Sequence, residues 1–341
     1  MAAPTSRDAV LTSFLTAEGW DGATSEPLAG DASVRRYHRL RHGAVTSVLM
    51  DAPLPREDLD RYIAIAALLR RYGASAPEIY AADRENGFLL IEDFGDDSYA
   101  RLLGAGADEA TLYALAVEAL AAVHRAATAD DLCWFPSYDD ERLLGEAALL
   151  VDWYAPSVLG RELPSAAREE YLARWRATLP HAGLEQKTLV LRDYHPGNLM
   201  QLPGRPGVRA CGLLDFQDAV QGPAAYDLVS LLDDARRDVS PALRTAMTDR
   251  YLAAFSQIDR PQFARSAAIL SAQRNCKIIG LFVRLWRRDG KSAYLAHIPR
   301  VWRLVEERVR SEPTLGPIGD WLDRNLPPAM RRAPGPRSAA A

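Results

Sequence analysis

Two carboxylates and one amide stand at the ends of a pattern that predicts a tight hairpin. Asp193 and Asn198 lie in the segment LRDYHPGN, and Asp215 ends the apolar segment CGLLD. Between Asn198 and Asp215, the residues PGRPG at 203–207 have the composition of a tight turn. Two short apolar runs flank this turn, at 199–202 and 208–214. If these runs pair symmetrically, Asn198 lies opposite Asp215, about 5 Å away, and Asp193 is carried to the same end of the hairpin.

These three side chains suit the transfer of a phosphoryl group to a hydroxyl. Magnesium takes hard oxygen ligands, one or two of them from the protein and the rest from water and phosphate, so Asn198 and Asp215 are candidate ligands. A further carboxylate outside the metal site is what a sugar hydroxyl needs as proton acceptor, and Asp193 is the candidate. The competing interpretation is that both carboxylates are ordinary turn and strand-end residues. The spacing, the turn and the flanking apolar runs together favour the site.

Composition places the chain among ordinary globular proteins and excludes several classes. It has 341 residues, a net charge of −4 and 25% charged residues, without the basic stripe of nucleic-acid-binding proteins. Cys133, Cys211 and Cys276 show no CxxC spacing, which favours free thiols in a reducing compartment. The apolar segment 278–286 contains Arg284 and is shorter than the roughly 20 residues that a membrane span needs. We therefore expect a cytoplasmic protein without nucleic-acid or membrane partners.

The first quarter of the chain predicts a β-rich layer with one helix. β-prone runs at 34–40 and 45–50 flank a turn. Apolar residues at helical spacing predict a helix over 55–71. An apolar strand at 87–91 follows and leads into the acidic turn EDFGDD at 92–97.

From residue 110 onward the pattern is mainly helical. Helices are predicted over 110–127, 140–154, 165–179 and much of 226–310, with apolar strands at 188–191 and 209–215. This order predicts an α+β protein with a small β-rich N-lobe over 1–96 and a larger, mainly helical C-lobe over 97–326. Ligands commonly bind between such lobes. The end of the chain, 327–341, is rich in Pro, Arg and Ala and is expected to be disordered.

The same segments resemble the aminoglycoside phosphotransferase family, whose members share the bilobal protein-kinase-like fold. The run D-x-x-x-x-N at 193–198, with LLDF following, is similar to that family's catalytic loop and metal-binding segment. Further matches follow the same order: GDASVRRY at 30–37, FLLIEDFG at 88–95, the helix around 115–124 and GPAAYDL at 222–228. Within the family, the ordered set looks most like the bacterial kinases that act on the anomeric hydroxyl of N-acetylmuramate and N-acetylglucosamine in cell-wall recycling.

The resemblance implies a role for each matching residue. Asp193 is the implied catalytic base, and Asn198 and Asp215 are the implied ligands of Mg²⁺. The implied contacts of ATP are the phosphate-covering residues Gly30, Asp31, Ala32 and Ser33, the backbone at Glu92 and Phe94, which would hold the adenine, and Leu90 behind it. Asp227 is implied to brace the loop that carries Asp193.

Two positions depart from the family's pattern. Leu191 stands where a histidine, usually structural, precedes the catalytic aspartate. Met50 stands where the third strand normally ends in the lysine that holds the α- and β-phosphates. Because side chains alternate along a strand, either Arg35 or Arg36 points inward and can supply the missing charge. We expect Arg36 to do so; the alternative is that magnesium carries more of the neutralisation.

Four residues outside this pattern are candidates for contacts with the sugar. His195 follows the candidate base closely, and Gln217 follows Asp215. Asp152 and Trp153 interrupt an apolar helix, and a tryptophan face is a common sugar platform. Each has a structural alternative: His195 and Gln217 as supports of the loop backbone, and Trp153 as a core residue.

A basic helix face supplies a fifth candidate. Arg274, Lys277 and Arg284 fall on one side of a predicted helix. If this side faces the substrate, Arg274 suits a carboxylate such as the lactyl group of N-acetylmuramate. The alternative is a solvated helix face.

The resemblance implies an ATP-dependent phosphotransferase with an alcohol group as acceptor, a sugar 1-kinase of peptidoglycan recycling. Two alternatives stay open. The acceptor could be another small alcohol or an aminoglycoside, for which a strongly acidic site would be expected. The chain could also be a nucleotide-binding pseudokinase, which the absence of the lysine at Met50 suggests and the intact Asp193, Asn198 and Asp215 oppose.

Overall fold

The computed structural model describes residues 6–28, 35–53, 59–184 and 187–335. The chain groups into two compact units. The first unit comprises residues 1–123 and 196–217, and the second comprises residues 124–195 and 218–341. A small antiparallel sheet followed by a larger helical part confirms the α+β class. The lobe boundary after residue 96 stays a prediction.

The described elements follow the chain in a β-rich and then a helical series. The order begins with α1 (Arg7–Ala17), β1 (Thr24–Leu28), β2 (Arg36–His42), β3 (Val45–Asp51), α2 (Leu59–Arg71), β4 (Ile79–Asp83), β5 (Phe88–Ile91), α3 (Tyr99–Gly104) and α4 (Glu109–Ala126). It continues with α5 (Ala129–Leu132), α6 (Asp140–Leu149), a π-helix (Leu150–Tyr154), α7 (Ala155–Leu159), α8 (Ser165–Thr178), β6 (Lys187–Val190), β7 (Leu199–Gln201), β8 (Cys211–Leu213) and β9 (Val220–Pro223). It ends with α9 (Ala225–Leu232), α10 (Pro241–Ala253), α11 (Arg260–Asp289), α12 (Ile298–Ser311) and α13 (Gly316–Asn325). No helix in this described part of the chain combines the length and apolar character that a membrane span would need.

The sheet of the first unit is antiparallel, with the strand order β1-β2-β3-β5-β4. In β3, Met50 pairs with Leu89 of β5, and the neighbouring Leu49 pairs with Leu90. Directly paired residues of antiparallel strands share a face, and successive residues alternate between faces. Leu49 and Leu90 therefore lie on one face, and Met50 and Leu89 lie on the other, which we call the Met50 face.

Helix α1 covers the face that carries Leu49 and Leu90. A buried cluster on this α1 face contains Phe14, Leu40, Leu49, Phe88 and Leu90. At its margin, Arg7 of α1 forms an ion pair with Asp51 at the end of β3. Burial of these apolar side chains stabilises the packing of α1 on the sheet by roughly 25 cal/mol per Å² of apolar surface. The Met50 face is left for other contacts.

The second unit is organised around α11, a helix of 30 residues. It begins with an Asp259 cap whose side chain accepts a hydrogen bond from the Gln262 N–H, and it ends at Gly290 with φ +73°. At Gly280 it approaches the end of α6 so closely that an added Cβ would lie 2.2 Å from the Leu149 carbonyl oxygen. The helix predicted over 140–154 is α-helical only to Leu149 and then widens into a π-turn, a local form often found at functional sites.

The chain end differs from the expected disorder over residues 327–335. Pro328–Met330 forms a 3₁₀ turn, and the Tyr154 hydroxyl lies 2.6 Å from the Met330 carbonyl oxygen and 2.9 Å from that of Arg332. Arg331 also places its guanidinium 5.4 Å from the centre of the Trp302 ring. Composition alone did not show these partners, which hold the segment against the second unit. Residues 336–341 lie outside the described part of the chain.

Candidate active site

The hairpin of β7 and β8 brings Asn198 and Asp215 together, with a register that differs by one residue from the prediction. Leu199 pairs with Leu213, and the Leu214 N–H donates to the Asn198 carbonyl at 3.0 Å. Asn198 thus lies opposite Leu214 rather than Asp215. The strands are shorter than predicted because residues 207–210 form a 3₁₀ turn, which makes the connection asymmetric.

Asp215 nevertheless reaches Asn198 because its backbone turns. It has φ +58°, the left-handed region that non-glycine residues rarely occupy. The Asn198 Nδ2 donates to Asp215 Oδ2 at 3.3 Å, and the Gln217 Nε2 donates to Asp215 Oδ1 at 2.8 Å. Arg61 of α2 donates to the Gln217 carbonyl at 2.7 Å. Gln217, predicted as a sugar contact, orients the Asp215 carboxylate in this structure.

The donor set of this pair fits magnesium. One carboxylate and one amide oxygen are hard ligands, and Mg²⁺ commonly takes only one or two ligands from a protein and completes its octahedron with water and phosphate. Among the described residues, no group of three His, Cys, Asp or Glu side chains forms a metal cluster, so a metal held entirely by such side chains is not built here. Asn198 and Asp215 suit an ion that arrives with a nucleotide.

In the second unit, Asp193 lies on a loop after β6 that α9 braces. Asp227 accepts hydrogen bonds from the Leu191 N–H at 2.6 Å and the Arg192 N–H at 2.9 Å, which confirms its predicted structural role. Arg192 has φ +71°, a conformation that costs of order 1–3 kcal/mol in a non-glycine residue. Asp227 is fully buried, and burial raises the pKa of its carboxyl to about 7, helped by the charge of Asp193.

Glu146 of α6 holds the same loop from another side. Its Oε1 accepts from Arg192 Nη2 at 2.6 Å and from Lys277 Nζ at 2.9 Å, and its Oε2 accepts from the Tyr138 hydroxyl at 2.5 Å. Burial would raise the pKa of Glu146, but Lys277 and Arg192 outweigh it and hold that pKa below its usual value. Glu146 is therefore an ionised anchor shared by α11 and the Asp193 loop.

The Asp193 carboxyl lies among cations. Burial alone would raise its pKa, but the charges of Lys277, His195, Arg192 and Arg274 lower it below the ordinary value. Burial and the charge of Arg236 lower the pKa of His195 itself to about 4, so this imidazole is neutral near pH 7. The three remaining cations keep Asp193 ionised and able to accept a proton.

His195 and Arg274 are both buried on this side of the second unit, with exposed fractions of 7% and 6%. The Arg274 Nη2 lies 2.6 Å from Ser230 Oγ, and Ser230 donates to the Arg192 carbonyl at 3.3 Å. Arg274 Nη1 is buried and has no hydrogen-bond partner among the described residues. The alternative of a solvated helix face is wrong for Arg274, because the side chain reaches inward toward α9.

The other two predicted sugar contacts lie in the π-helix of the second unit. Asp152 forms a two-pronged ion pair with Arg168 of α8, at 2.7 Å and 3.1 Å. Trp153 is half-buried. The ion pair engages both Asp152 oxygens, so a sugar hydroxyl would have to share or displace Arg168; the role of both residues stays a prediction.

The backbone after β5 keeps one acceptor and one donor available. The Glu92 N–H donates to the Glu78 carbonyl at 2.8 Å, and no backbone hydrogen bond outside the described helices and strands uses the Glu92 carbonyl or the Phe94 N–H. The edge of adenine offers one donor and one acceptor to such a pair, and the adenine contacts at Glu92 and Phe94 stay a prediction. The Phe94 ring packs against β8, since a Cβ at Gly212 of that strand would lie 2.8 Å from the ring. The Arg205 guanidinium lies 5.2 Å from the ring centre.

Two residues predicted as nucleotide contacts lie on the α1 face of the sheet and not on the Met50 face, and their roles stay predictions. Leu90 belongs to the cluster beneath α1, opposite to the Met50 face. Arg36 is exposed and pairs with Asp51, whose side chain binds α1. Strand alternation is correct, but its phase makes Arg35 the inward residue. The predicted segment Gly30, Asp31, Ala32 and Ser33 lies outside the described residues.

Arg35 is only 9% exposed. Its charge and the charge of Asp215 both act on the same phenol, that of Tyr62. Burial raises the pKa of the Tyr62 phenol in α2; Tyr37 and Asp215 act in the same direction, and Arg35 opposes them. Tyr62 also stacks on Phe216, with 5.0 Å between ring centres. Burial and this location favour Arg35 over Arg36 as the candidate to replace the lysine missing at Met50, and that role stays a prediction.

Sequence reasoning missed Glu146 and assigned Lys277 no role of its own. Each is the one charged residue of an otherwise apolar stretch within its helix, LLGEAAL at 143–149 and CKIIGLF at 276–282. That pattern is the signal that could have found them, since charged side chains are almost never buried without a partner.

Comparison with known proteins agrees with this geometry. A family model described as the phosphotransferase enzyme family matches residues 24–265. An N-acetylmuramate/N-acetylglucosamine kinase of Caulobacter vibrioides is 37% identical, over 97% of this chain and 100% of that protein. One of the same name from Pseudomonas aeruginosa is 39% identical, over 92% of this chain and 93% of that protein.

Solved structures show the same fold at low sequence identity. Choline kinase LicA from Streptococcus pneumoniae superposes with a TM-score of 0.62 at 12% identity, covering 89% of this chain and 99% of that one. The GDP and kanamycin complex of APH(2")-IIIa gives a TM-score of 0.60 at 15% identity, covering 88% and 98%. These neighbours confirm the predicted kinase-like architecture, and the sequence matches extend over most of the chain. The chain therefore belongs to the phosphotransferase enzyme family.

Proposed function

We propose that the chain is an ATP-dependent sugar 1-kinase that phosphorylates the anomeric hydroxyl of N-acetylmuramate, N-acetylglucosamine or both, as a step in peptidoglycan recycling. The observation that carries the proposal is the braced, ionised Asp193 followed five residues later by Asn198, the first residue of the Asn198–Asp215 pair. The names of relatives that align with nearly the whole chain support the acceptor. The free thiols Cys133, Cys211 and Cys276 are compatible with work in the cytoplasm.

In the proposed reaction, Asp193 orients the anomeric hydroxyl and accepts its proton. The hydroxyl oxygen forms a bond to the γ-phosphorus of ATP while the bond from that phosphorus to the β,γ-bridging oxygen breaks, so ADP leaves and the sugar 1-phosphate forms. The proton on Asp193 then passes to solvent. Asn198 and Asp215 would hold magnesium, whose charge neutralises the phosphates. The Glu92 carbonyl and Phe94 N–H would hold the adenine, and Arg35 would bind phosphate.

A low pKa makes Asp193 a weak base, which fits this chemistry. In a loose phosphoryl-transfer transition state, the hydroxyl loses its proton late, so orientation contributes more than basicity. The cations around Asp193 therefore serve the reaction by fixing an ionised acceptor in one place.

The test is an acceptor screen with purified protein, ATP and Mg²⁺, followed by phosphorus NMR of the products. N-acetylmuramate and N-acetylglucosamine are compared with choline and kanamycin, with GTP as a second donor and Asp193→Asn as the matched inactive control. We expect an anomeric phosphate from at least one N-acetyl sugar. Phosphate transfer to choline or kanamycin alone would contradict the proposed acceptor, and ATP binding without any product would indicate a pseudokinase.

A further inference from the structure

We infer that Lys277 is a positioning residue of the reaction: its ammonium group binds Glu146, which also binds Arg192, and this anchor holds the loop in which the Asp193 carboxylate accepts the hydroxyl proton. The inference rests on the proposed function and extends it to a helix far from the loop in sequence. It assigns a role to a residue of α11 that the loop motif does not contain.

The anchor of Lys277 is rigid. Glu146 accepts from Lys277 at 2.9 Å, from Arg192 at 2.6 Å and from Tyr138 at 2.5 Å. Both carboxylate oxygens are thus engaged, and the exposed fraction of the Glu146 side chain is only 13%. A charge pair this well enclosed is weakly screened by solvent and salt.

Lys277 reaches the Asp193 loop through Glu146, and its charge lowers the pKa of the Asp193 carboxyl. An ammonium has three N–H donors, and Glu146 is the one hydrogen-bond partner of Lys277 among the described residues. Arg192 and Arg274, the other cations acting on Asp193, reach Glu146 and Ser230 with their guanidinium groups. The remaining charged and titratable neighbours are His195, neutral near pH 7, and the buried Asp227.

The choice of lysine here is itself informative. Lysine occurs only at positions 187, 277 and 291 among 41 basic residues, so this chain uses arginine for nearly every other cation. A guanidinium presents its donors in a fixed plane, whereas an ammonium is a compact point charge with rotating donors. A compact ammonium can therefore bind the same Glu146 oxygen that the Arg192 guanidinium binds.

The experiment compares Lys277→Met and Lys277→Arg with the wild type, and uses Lys187→Met as a control because Lys187 is exposed at the start of β6. Initial rates give kcat and KM for ATP and for each N-acetyl sugar. We expect Lys277→Met to lower kcat by tenfold or more, because a misplaced reacting group costs up to about 10²-fold, while KM for ATP stays within about twofold. Lys277→Arg should restore part of kcat, and Lys187→Met should match the wild type.

Two results would overturn the inference. One is a wild-type kcat in Lys277→Met. The other is an effect confined to KM for N-acetylmuramate and absent for N-acetylglucosamine, which would make Lys277 a ligand of the substrate carboxylate. If Lys277→Met melts early, Lys277→Gln, which keeps a hydrogen bond to Glu146 without the charge, carries the same expectations. A wild type that phosphorylates no sugar would instead contradict the proposed function.

Discussion

The two candidate carboxylates, one in each unit, differ in the groups that are seen to hold them. Asp193, in the second unit, lies among the charges of Lys277, Arg192 and Arg274. Asp215, in the first unit, accepts hydrogen bonds from the neutral amides of Asn198 and Gln217. A left-handed backbone at a non-glycine residue occurs beside each of them: Arg192 directly precedes Asp193, and Asp215 has a positive φ itself.

The difference separates two tasks for one residue type. A carboxylate oriented by neutral amides keeps its full charge for an incoming cation, as a metal ligand requires. A carboxylate balanced by fixed cations has little to gain from a metal, and its value lies in being ionised and correctly placed. This difference supports our proposal that Asp215 binds the metal and Asp193 accepts the hydroxyl proton.

The largest expected effect is the loss of Asp193. Asp193→Asn keeps the shape but removes the proton acceptor, and general bases contribute about 10²–10⁴-fold. Turnover should fall by that factor, equivalent to about 3–5 kcal/mol, while the affinity for ATP stays within a few-fold by calorimetry. Turnover near that of the wild type would break the assignment of this carboxylate.

Asp227→Asn should produce the next largest loss, because it tests the brace of the Asp193 loop. The amide can accept from only one of the Leu191 and Arg192 N–H groups, and an unsatisfied buried donor costs about 1–3 kcal/mol. We expect an earlier thermal transition and a tenfold or greater drop in kcat. Asp249→Asn, which removes an exposed ion pair with Arg260, is the matched control and should change neither quantity. Equal behaviour of the two variants would show that the loop does not depend on Asp227.

Arg35 and Arg36 provide a paired test of the Asp215 side. Arg35→Met should raise KM for ATP by about tenfold, because it removes a buried cation worth roughly 1.4 kcal/mol to the bound phosphates. Arg36→Met should leave KM nearly unchanged, because Arg36 lies on the α1 face. Steady-state kinetics at saturating sugar gives KM for ATP in both variants. A larger increase of KM in Arg36→Met than in Arg35→Met would support the original expectation for Arg36.

The last test, which concerns stability and not turnover, is a pH dependence. The pKa of Asp227 is about 7 when folded, against about 3.9 for an ordinary aspartate. Between these values the folded state binds more protons than the unfolded state, so the stability contributed by this group falls as pH rises from about 4 to 7. The free energy of unfolding of the wild type, measured relative to Asp227→Asn by urea titration, should decline by up to about 1.4 kcal/mol per pH unit in that window. A difference independent of pH would remove this account of Asp227.

Local spacing predicted the chemistry of the site better than its register. The D-x-x-x-x-N run and the following Asp215 were found because their distances are short and the turn composition is distinctive. The one-residue error at Asn198 arose because residues 207–210 coil into a 3₁₀ turn. The exposed position of Arg36 could not be predicted for a similar reason, since the phase of β2 is set by its pairing with β3, which a single strand does not reveal.

Long-range contacts account for most of what the sequence did not show. Glu146 and Lys277 meet across 131 positions, and no local pattern links them. Strand β1 was missed because its sequence TSEPL contains a proline and carries little apolar signal, as edge strands often do. The sequence of helix α1 does not predict this helix by itself, because its apolar residues become meaningful only together with the sheet face that it covers.

The most direct test of the division between the two carboxylates is the binding of ATP to Asp193→Asn and Asp215→Asn, titrated by calorimetry with and without Mg²⁺. The account predicts that Asp193→Asn keeps the magnesium-dependent gain in ATP affinity of the wild type, whereas Asp215→Asn loses it. A magnesium-dependent gain that survives in Asp215→Asn but disappears in Asp193→Asn would contradict the account.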